Sequence, residues 1–284
     1  MLSAHITRMS SSIRWAFNWK EWDPSVQVLE EATSCLQNDE REKLQNFVFR
    51  KDIRASLIGR LLMRKFVNEY TDIPYNRITF IRDENYKPVL KDKSVIIDFN
   101  VSHHGSYTVL AGEVKNVKVG VDIMVLDYNK DRNLTHFFRL MKRQFSEAEW
   151  EEIRSGKSNA EQLYMFNRHW ALKESYTKAI GTGVSTDLRT LDFRTNSKLT
   201  EDSIITDTVL FINGIKQNWL FEESLLDSQH CVTVALQKND NSLQLHNTRF
   251  RIMNYDELML HAVPLCPIDS QFITRYFMKS EQPF

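Results

Sequence analysis

The sequence predicts an α+β protein built as two lobes of similar plan, and three observations predict it. Apolar residues recur at helical spacing between Asp39 and Tyr70 and give way to short β-type segments. A second helical stretch, about Ala160 to Ile180, is again followed by β-type segments. Between the halves, Val117 to Val125 alternates strictly, the pattern of a strand buried on one face.

In chain order, Leu44, Phe47, Val48, Ala55, Ile58, Leu62 and Phe66 fall three and four apart, with a break near Arg50 to Asp52, so one or two amphipathic helices are expected. After Ile73-Pro74 come strand-like segments at Arg77 to Arg82, Val95 to Val101 and Tyr107 to Ala111. Ser102-His103-His104-Gly105-Ser106 separates the last two as a hairpin signal. In the alternating run the odd positions Val117 to Val125 form the buried face, so Asp122 points the other way with Gly120 and Met124. Ser146 and Glu149 have the spacing of a capping box, and Gly181 is placed to stop the second long helix. Leu188 to Phe193, Thr206 to Ile212, Asn218 to Glu223 and His230 to Gln237 read as strands. The expected lobes span 1–116 and 117–238 and meet near Val114 to Lys118, a position where ligand sites often lie. Residues 239–284 are an extension of unassigned role, with a short helix at Met253 to Ala262 and an irregular stretch with two prolines at Val263 to Asp269.

Composition narrows the classes. With 284 residues, 42% of them hydrophobic, the chain can bury a sizeable core. Lys plus Arg and Asp plus Glu each total 37, so no overall charge favours nucleic acid or an anionic membrane, and neither is an expected partner. Cys35, Cys231 and Cys266 are odd in number and far apart, which suits neither a disulfide framework nor a CxxC site. Met1 to Ser12 lacks the apolar core of a secretory leader, and no stretch nears the ~20 apolar residues of a membrane span. A soluble cytosolic protein is expected. With 8 Gly and no Gly-rich loop, any bound phosphate must be held largely by side chains.

The candidate chemistry follows from residues that are costly where they stand. Asp122 lies mid-strand, where Asp is a poor former, so it reads either as a polar edge residue or as a metal ligand on a rigid strand. Glu174 and Lys178 share one helix face; alone this is an ordinary surface ion pair, but Leu172, Tyr176 and Ala179 supply the core stripe and free that face to line a cleft. Ser102 and His103 are adjacent on extended chain and point apart, which argues against a serine hydrolase. No histidine pair has HExxH spacing. Arg82, Lys87 and the run Arg50, Lys51, Arg54, Arg60, Arg64, Lys65 offer cations, most of them on a solvated helix face.

Val119-Gly120-Val121-Asp122-Ile123, followed by Trp170-Ala171-Leu172-Lys173-Glu174-Ser175-Tyr176-Thr177-Lys178-Ala179, resembles the paired signature G-[IV]-D and W-x-x-K-E-[SA]-x-x-K-A of the Sfp-type 4′-phosphopantetheinyl transferases. Lys87-Pro88, Asn100-Val101-Ser102-His103, and Phe49, Asp52, Gly59-Arg60 and Leu61-Leu62 agree as well, and the similarity, from about Ile13 to Gln237, is greatest to the family's monomeric eukaryotic cytosolic branch.

The resemblance implies a pseudo-twofold pair of α+β lobes with coenzyme A and Mg²⁺ in the cleft between them. It implies holo-[acyl-carrier-protein] synthase activity on acyl or peptidyl carrier domains, such as those of fatty acid synthase and the aminoadipate-semialdehyde-dehydrogenase-like enzymes of lysine metabolism. By resemblance, Asp122 and Glu174 are the metal ligands, Lys178 contacts the pyrophosphate, and Glu174, Lys178 and His103 are the catalytic candidates. Arg82, Asn85, Tyr86 and Lys87, with the turn Asn100, Val101, Ser102 and His103, are the expected coenzyme A contacts; Lys43 falls where the cytosolic branch has an arginine. Met124 replaces a second strand carboxylate of bacterial relatives, which leaves two protein ligands, a number Mg²⁺ accepts. Asn85 and Tyr86 replace a lysine and a glycine of the cytosolic branch. Phe137 to Arg143, mixing apolar and basic groups, is an expected carrier-docking segment or an ordinary buried loop. A non-catalytic coenzyme A and carrier-binding module, and a Mg²⁺-dependent hydrolase of coenzyme A, are the alternatives.

Overall fold

The computed structural model describes residues 11–126, 133–183, 186–238 and 248–282. Most of the stretch read for a leader, and the first part of the extension, lie outside the described residues.

The same strand, helix, hairpin unit occurs twice. In the first lobe β1 (Ser12–Asn18), α1 (Val26–Ser34), α2 (Asn38–Gln45) and the long α3 (Arg50–Tyr70) precede a small hairpin, β2 (Phe80–Arg82) and β3 (Pro88–Leu90), and a second hairpin, β4 (Asp98–His104) and β5 (Tyr107–Glu113). In the second lobe β6 (Val119–Val125) is followed by α4 (Leu134–Leu140), α5 (Glu147–Arg154), the long α6 (Asn159–Ile180), a small sheet of β7 (Leu191–Arg194), β8 (Val209–Ile212) and β9 (Ile215–Lys216), and the hairpin β10 (Trp219–Asp227) and β11 (His230–Gln237). The sheets are ordered β1-β5-β4 and β6-β11-β10, so in each lobe the last strand pairs with the first. This shared topology is the pseudo-twofold relation of the α+β fold.

The two sheets pack face to face, and each long helix covers an outer face. Ala16, Tyr107, Val109 and Ala111 of the first sheet share one core with Val119, Val121, Ile123, Val232 and Val234 of the second. Their alternate neighbours turn outward: Trp15 and Leu110 pack with Leu62 and Phe66 of α3, and Phe221 and Ala235 with Leu172 and Ala179 of α6. Arg14 is buried at this junction and bonds Glu113 at 2.8 Å and Glu222 of the other lobe at 2.9 Å, so its charge is neutralised from both sides.

The lobes are also joined along β4 and the free edge of β6. An exposed strand edge carries unpaired N–H groups, and here side chains of β4 accept them: Asp98 Oδ2 from Val119 N at 2.8 Å, Asn100 Oδ1 from Val121 N at 3.0 Å, and His104 Nδ1 from Val125 N at 3.0 Å. The segment Asn100 to His103 is therefore part of a strand, not a turn. The backbone reverses only at Gly105 and Ser106, because the row of alternating side chains is needed along the seam.

The extension completes the first lobe. β12 (Arg251–Met253) pairs parallel with β1, and α7 (Tyr255–Met259) and α8 (Ser270–Met278) follow it. Met253, Leu258, Phe272, Ile273 and Tyr276 are buried in the first lobe's core. Phe49, the N-cap of α3, offers no side-chain acceptor. The tail supplies two, with Arg50 N donating to Ser280 O at 3.0 Å and Lys51 N to Glu281 O at 3.4 Å. The helix expected at Met253 to Ala262 is shorter than its apolar pattern suggested, and α8 was not expected at all.

Candidate active site

Asp122 is placed by β6 and the Glu174–Lys178 face by α6, and Gly120 lets the two elements touch. A Cβ at Gly120 would stand 2.0 Å from Ser175 O and 2.5 Å from Ala179 N, so only glycine permits this approach. Gly181, at φ 75°, ends α6 with its N–H bonded to Thr177 O at 2.9 Å.

Between these elements Lys178 Nζ lies 2.6 Å from Asp122 Oδ1 and 2.8 Å from Ser102 Oγ, and Ser102 Oγ donates to the same Asp122 oxygen at 2.8 Å. Asp122 is 5% exposed, and its other oxygen, Oδ2, is buried with no hydrogen-bond partner among the described residues. Glu174 is half-buried one turn before Lys178; burial and then the nearby Asp122 charge raise its carboxyl above the usual range, with Lys178 opposing. Among the described residues no three His, Cys, Asp or Glu side chains form a protein-only metal cage. An orphaned carboxylate oxygen beside a second carboxylate fits a hard cation whose remaining ligands are water and phosphate, the usual manner of Mg²⁺.

Lys173, adjacent to Glu174, points into the protein. Its Nζ bonds Glu149 at 2.7 Å and the carbonyls of Leu188 and Leu191 at 2.7 and 2.6 Å. Glu149 is also the partner of Ser146 in the predicted capping box, so Lys173 ties α6 to the start of α5. This buried staple had no signal separate from the motif itself.

The other expected site residues are spread more widely. Ser102 joins the Asp122 cluster, and Asn100 serves the seam. Val101, on the opposite face of β4, is half-buried against α3, where it would lie 3.0 Å from a Cβ at Gly59. His103 shares that face; desolvation and then Lys178 hold its pKa below the usual value, while Asp52 pulls the other way. Lys87 Nζ pairs with Asp98 at 2.9 Å and reaches Val119 O at 3.3 Å, so it too spans the seam. Asn85 lies against the end of α6, 3.3 Å from a Cβ at Gly181. Tyr86, at φ 62° and 82% exposed, accepts through its carbonyl from Arg82 at 2.9 Å. Lys43 is on the surface of α2, 3.1 Å from Asp39, and is not among the residues the fold brings to the Asp122 cluster. Of the segment 137–143, Phe138 is buried against Trp150 and Phe166, while Leu140 is 66% exposed and Arg139, Lys142 and Arg143 are exposed.

The twofold arrangement of lobes sets acidic and basic side chains where they meet, and comparison with known sequences names the family. A profile described as "4′-phosphopantetheinyl transferase, N-terminal" matches residues 20–115, and one described as "4′-phosphopantetheinyl transferase superfamily" matches 118–235. The chain is 38% identical over 296 residues to the L-aminoadipate-semialdehyde dehydrogenase-phosphopantetheinyl transferase of Xenopus laevis, covering 100% of this chain and 97% of that one. It is 40% identical over 287 residues to the human protein of the same name, covering 95% and 93%, and 29% identical to the 4′-phosphopantetheinyl transferase gsp of Aneurinibacillus migulanus, covering 81% and 88%. The chain belongs to the 4′-phosphopantetheinyl transferase family.

Proposed function

We propose that the protein transfers the 4′-phosphopantetheine of coenzyme A to a serine of an acyl or peptidyl carrier domain and releases adenosine 3′,5′-bisphosphate. The observation that carries this reading is the Asp122 carboxylate, one oxygen held by Lys178 and Ser102 and the other buried and unpartnered, with Glu174 beside it. Asp122, through Oδ2, and Glu174 are the proposed Mg²⁺ ligands; when bound, the ion neutralises charge on the diphosphate.

In the transfer, the serine oxygen forms a bond to the phosphorus that carries pantetheine. The phosphoanhydride bond breaks, and its electron pair leaves with the bisphosphate. Lys178 is a preplaced cation for the charge on these oxygens. The serine proton passes to Glu174, whose carboxylate is half-buried beside Asp122 and one helical turn before Lys178. Carrier domains of fatty acid synthase and of aminoadipate-semialdehyde-dehydrogenase-like enzymes are the proposed substrates, and a cytosolic monomer the proposed state. Exposed Leu140, with Arg139, Lys142 and Arg143, offers an apolar and basic surface for an acidic carrier. Charge reversal at the three basic positions is expected to raise the KM for carrier and leave that for coenzyme A unchanged.

Intact-mass spectrometry of an apo carrier incubated with the enzyme, coenzyme A and Mg²⁺ tests the central reading. A gain of one phosphopantetheine, lost in Asp122→Ala and Glu174→Ala, is expected. Coenzyme A binding without transfer to any of several carriers would favour the non-catalytic module, and carrier-independent breakdown of coenzyme A the hydrolase.

A further inference from the structure

Ser102 stands on β4 and Asp122 on β6, two strands that lie side by side but belong to different sheets. Side chains hold the seam between them. Asp98 and Asn100 accept the Val119 and Val121 N–H groups toward one end, and His104 accepts that of Val125 at the other. Between these rungs Ser102 turns instead to Asp122 and Lys178. Its placement therefore depends on how firmly β4 is held on either side of it.

Beyond His104 the hold continues to the turn of the β4–β5 hairpin, and there it comes from His230. This residue is 4% exposed and stands opposite Val125 in the pairing of β11 with β6. Its Nε2 accepts the Ser106 N–H at 3.2 Å, and its Nδ1 faces Asp227 Oδ1 at 2.8 Å. A carboxylate only accepts, so Nδ1 carries the proton and Nε2 is left as the acceptor for Ser106. The Tyr107 ring packs edge-on against the imidazole, with centroids 5.0 Å apart. Gly105 lets the turn come close: a Cβ there would stand 2.3 Å from His230 Nε2 and 2.4 Å from Val125 Cγ2. The turn of the first lobe is thus seated on a buried imidazole of the second. Packing alone would take an apolar residue here; the imidazole adds an acceptor aimed at one particular amide.

We infer that His230, oriented by Asp227, is a positioning residue for the transfer: by seating the β4–β5 turn it holds Ser102 against Asp122 and Lys178. The inference rests on the transferase reading. His230 acts through Ser102. With the Ser106 N–H unpaired, the end of β4 lifts from β6, and Ser102 no longer fixes Lys178 and the Asp122 oxygen it bonds. Reacting geometry is sensitive to such shifts, since a remote substitution that misplaces a group by ~1 Å can cost about 10²-fold in rate.

The test is a double-mutant cycle on the full chain with an apo carrier, combining substitutions at His230 with Ser102→Ala. His230→Leu is expected to lower kcat/KM for coenzyme A by about tenfold or more, raising the KM for coenzyme A as well as lowering kcat, with the KM for carrier unchanged. A variant that was merely unstable would lose active enzyme and keep both KM values. His230→Gln, whose Oε1 can accept the Ser106 N–H in place of Nε2, should restore most of the loss. In the Ser102→Ala background His230→Leu should cost less than about twofold more. Should His230→Leu fail to fold, Asp227→Asn, which weakens the orienting bond from a half-exposed position, takes its place in the cycle. Losses that multiply in the double variant, or a Gln variant no better than Leu, would overturn the inference. Calorimetry of coenzyme A binding repeats the cycle without turnover. A wild type that modifies no carrier yet shows the same non-additive loss of affinity would sink the transferase reading and leave the seating of Ser102 by His230 standing.

Discussion

Lys178 Nζ lies 2.6 Å from Asp122 Oδ1, while Oδ2 of the same carboxylate is buried without a partner among the described residues. One oxygen is oriented by the protein, and the other is the atom proposed to bind Mg²⁺. Asp122→Asn keeps the shape but turns an acceptor-only carboxylate into an amide with one acceptor. It is expected to lower kcat/KM by about 10²- to 10³-fold, the range for losing one preorganised electrostatic contact. Isothermal titration with Mg²⁺ and coenzyme A together should show the matching loss of metal binding.

Gly120→Ala should push α6 away from β6, since the new methyl would meet the Ser175 carbonyl. Overpacking of this kind costs about 1–3 kcal/mol. A lower urea midpoint at unchanged m is expected, with a fall in activity because Glu174 and Lys178 move relative to Asp122.

Acid should loosen the contact between the lobes. His104 Nδ1 accepts the Val125 N–H, and His230 Nε2 accepts the Ser106 N–H at 3.2 Å while its Nδ1 faces Asp227 at 2.8 Å, so both bonds need unprotonated acceptor nitrogens. Desolvation holds the pKa of His104 below 6.5, with Asp122 opposing and His230 and Lys178 reinforcing. The unfolded chain then takes up the proton first. His104 thus contributes stability that is present above pH 6.5 and lost as pH falls through its lower folded value. Urea unfolding at pH 7.5 and 5.5 should show a larger loss for wild type than for His104→Asn, whose amide can accept the same bond without titrating.

The C-terminal extension should behave as core. Phe272→Ala, at a site buried with Leu258 and Tyr276, is expected to cost about 3–5 kcal/mol. Thermal unfolding should remain a single transition at a lower Tm; a separate low-temperature step for the tail would contradict its integration with α3.

Much of this architecture could be read from local pattern. The α6 boundaries, the capping box at Ser146 and Glu149, the strand β11 and the orientation of Asp122 each follow from one period or one stop signal over a few residues. Less legible were β1, α1 and the tail. The tail's elements are short and have amphipathic meaning only against α3, and β12 gains its hydrogen bonds from a strand more than two hundred residues earlier. Lys43 and Arg60 show the same limit among site candidates. Both are helix cations in sequence, and nothing local says that Lys43 will find Asp39 at the surface while Arg60 will be buried with, among the described residues, no carboxylate paired to it.

By itself the sequence determined the α+β class, the helix-then-sheet order of each half, and which carboxylates and cations are proposed for metal and phosphate, because these depend on side-chain period and on residues held in motifs. Only the tertiary structure decided that the halves share one strand, helix, hairpin topology. It also decided that β4 zips to β6 through Asp98, Asn100 and His104, that Lys173 is a staple, and that Ser280 and Glu281 cap α3. Those outcomes are set by which buried donors and charges find partners across the chain, and partner choice at long range has no local period to reveal it.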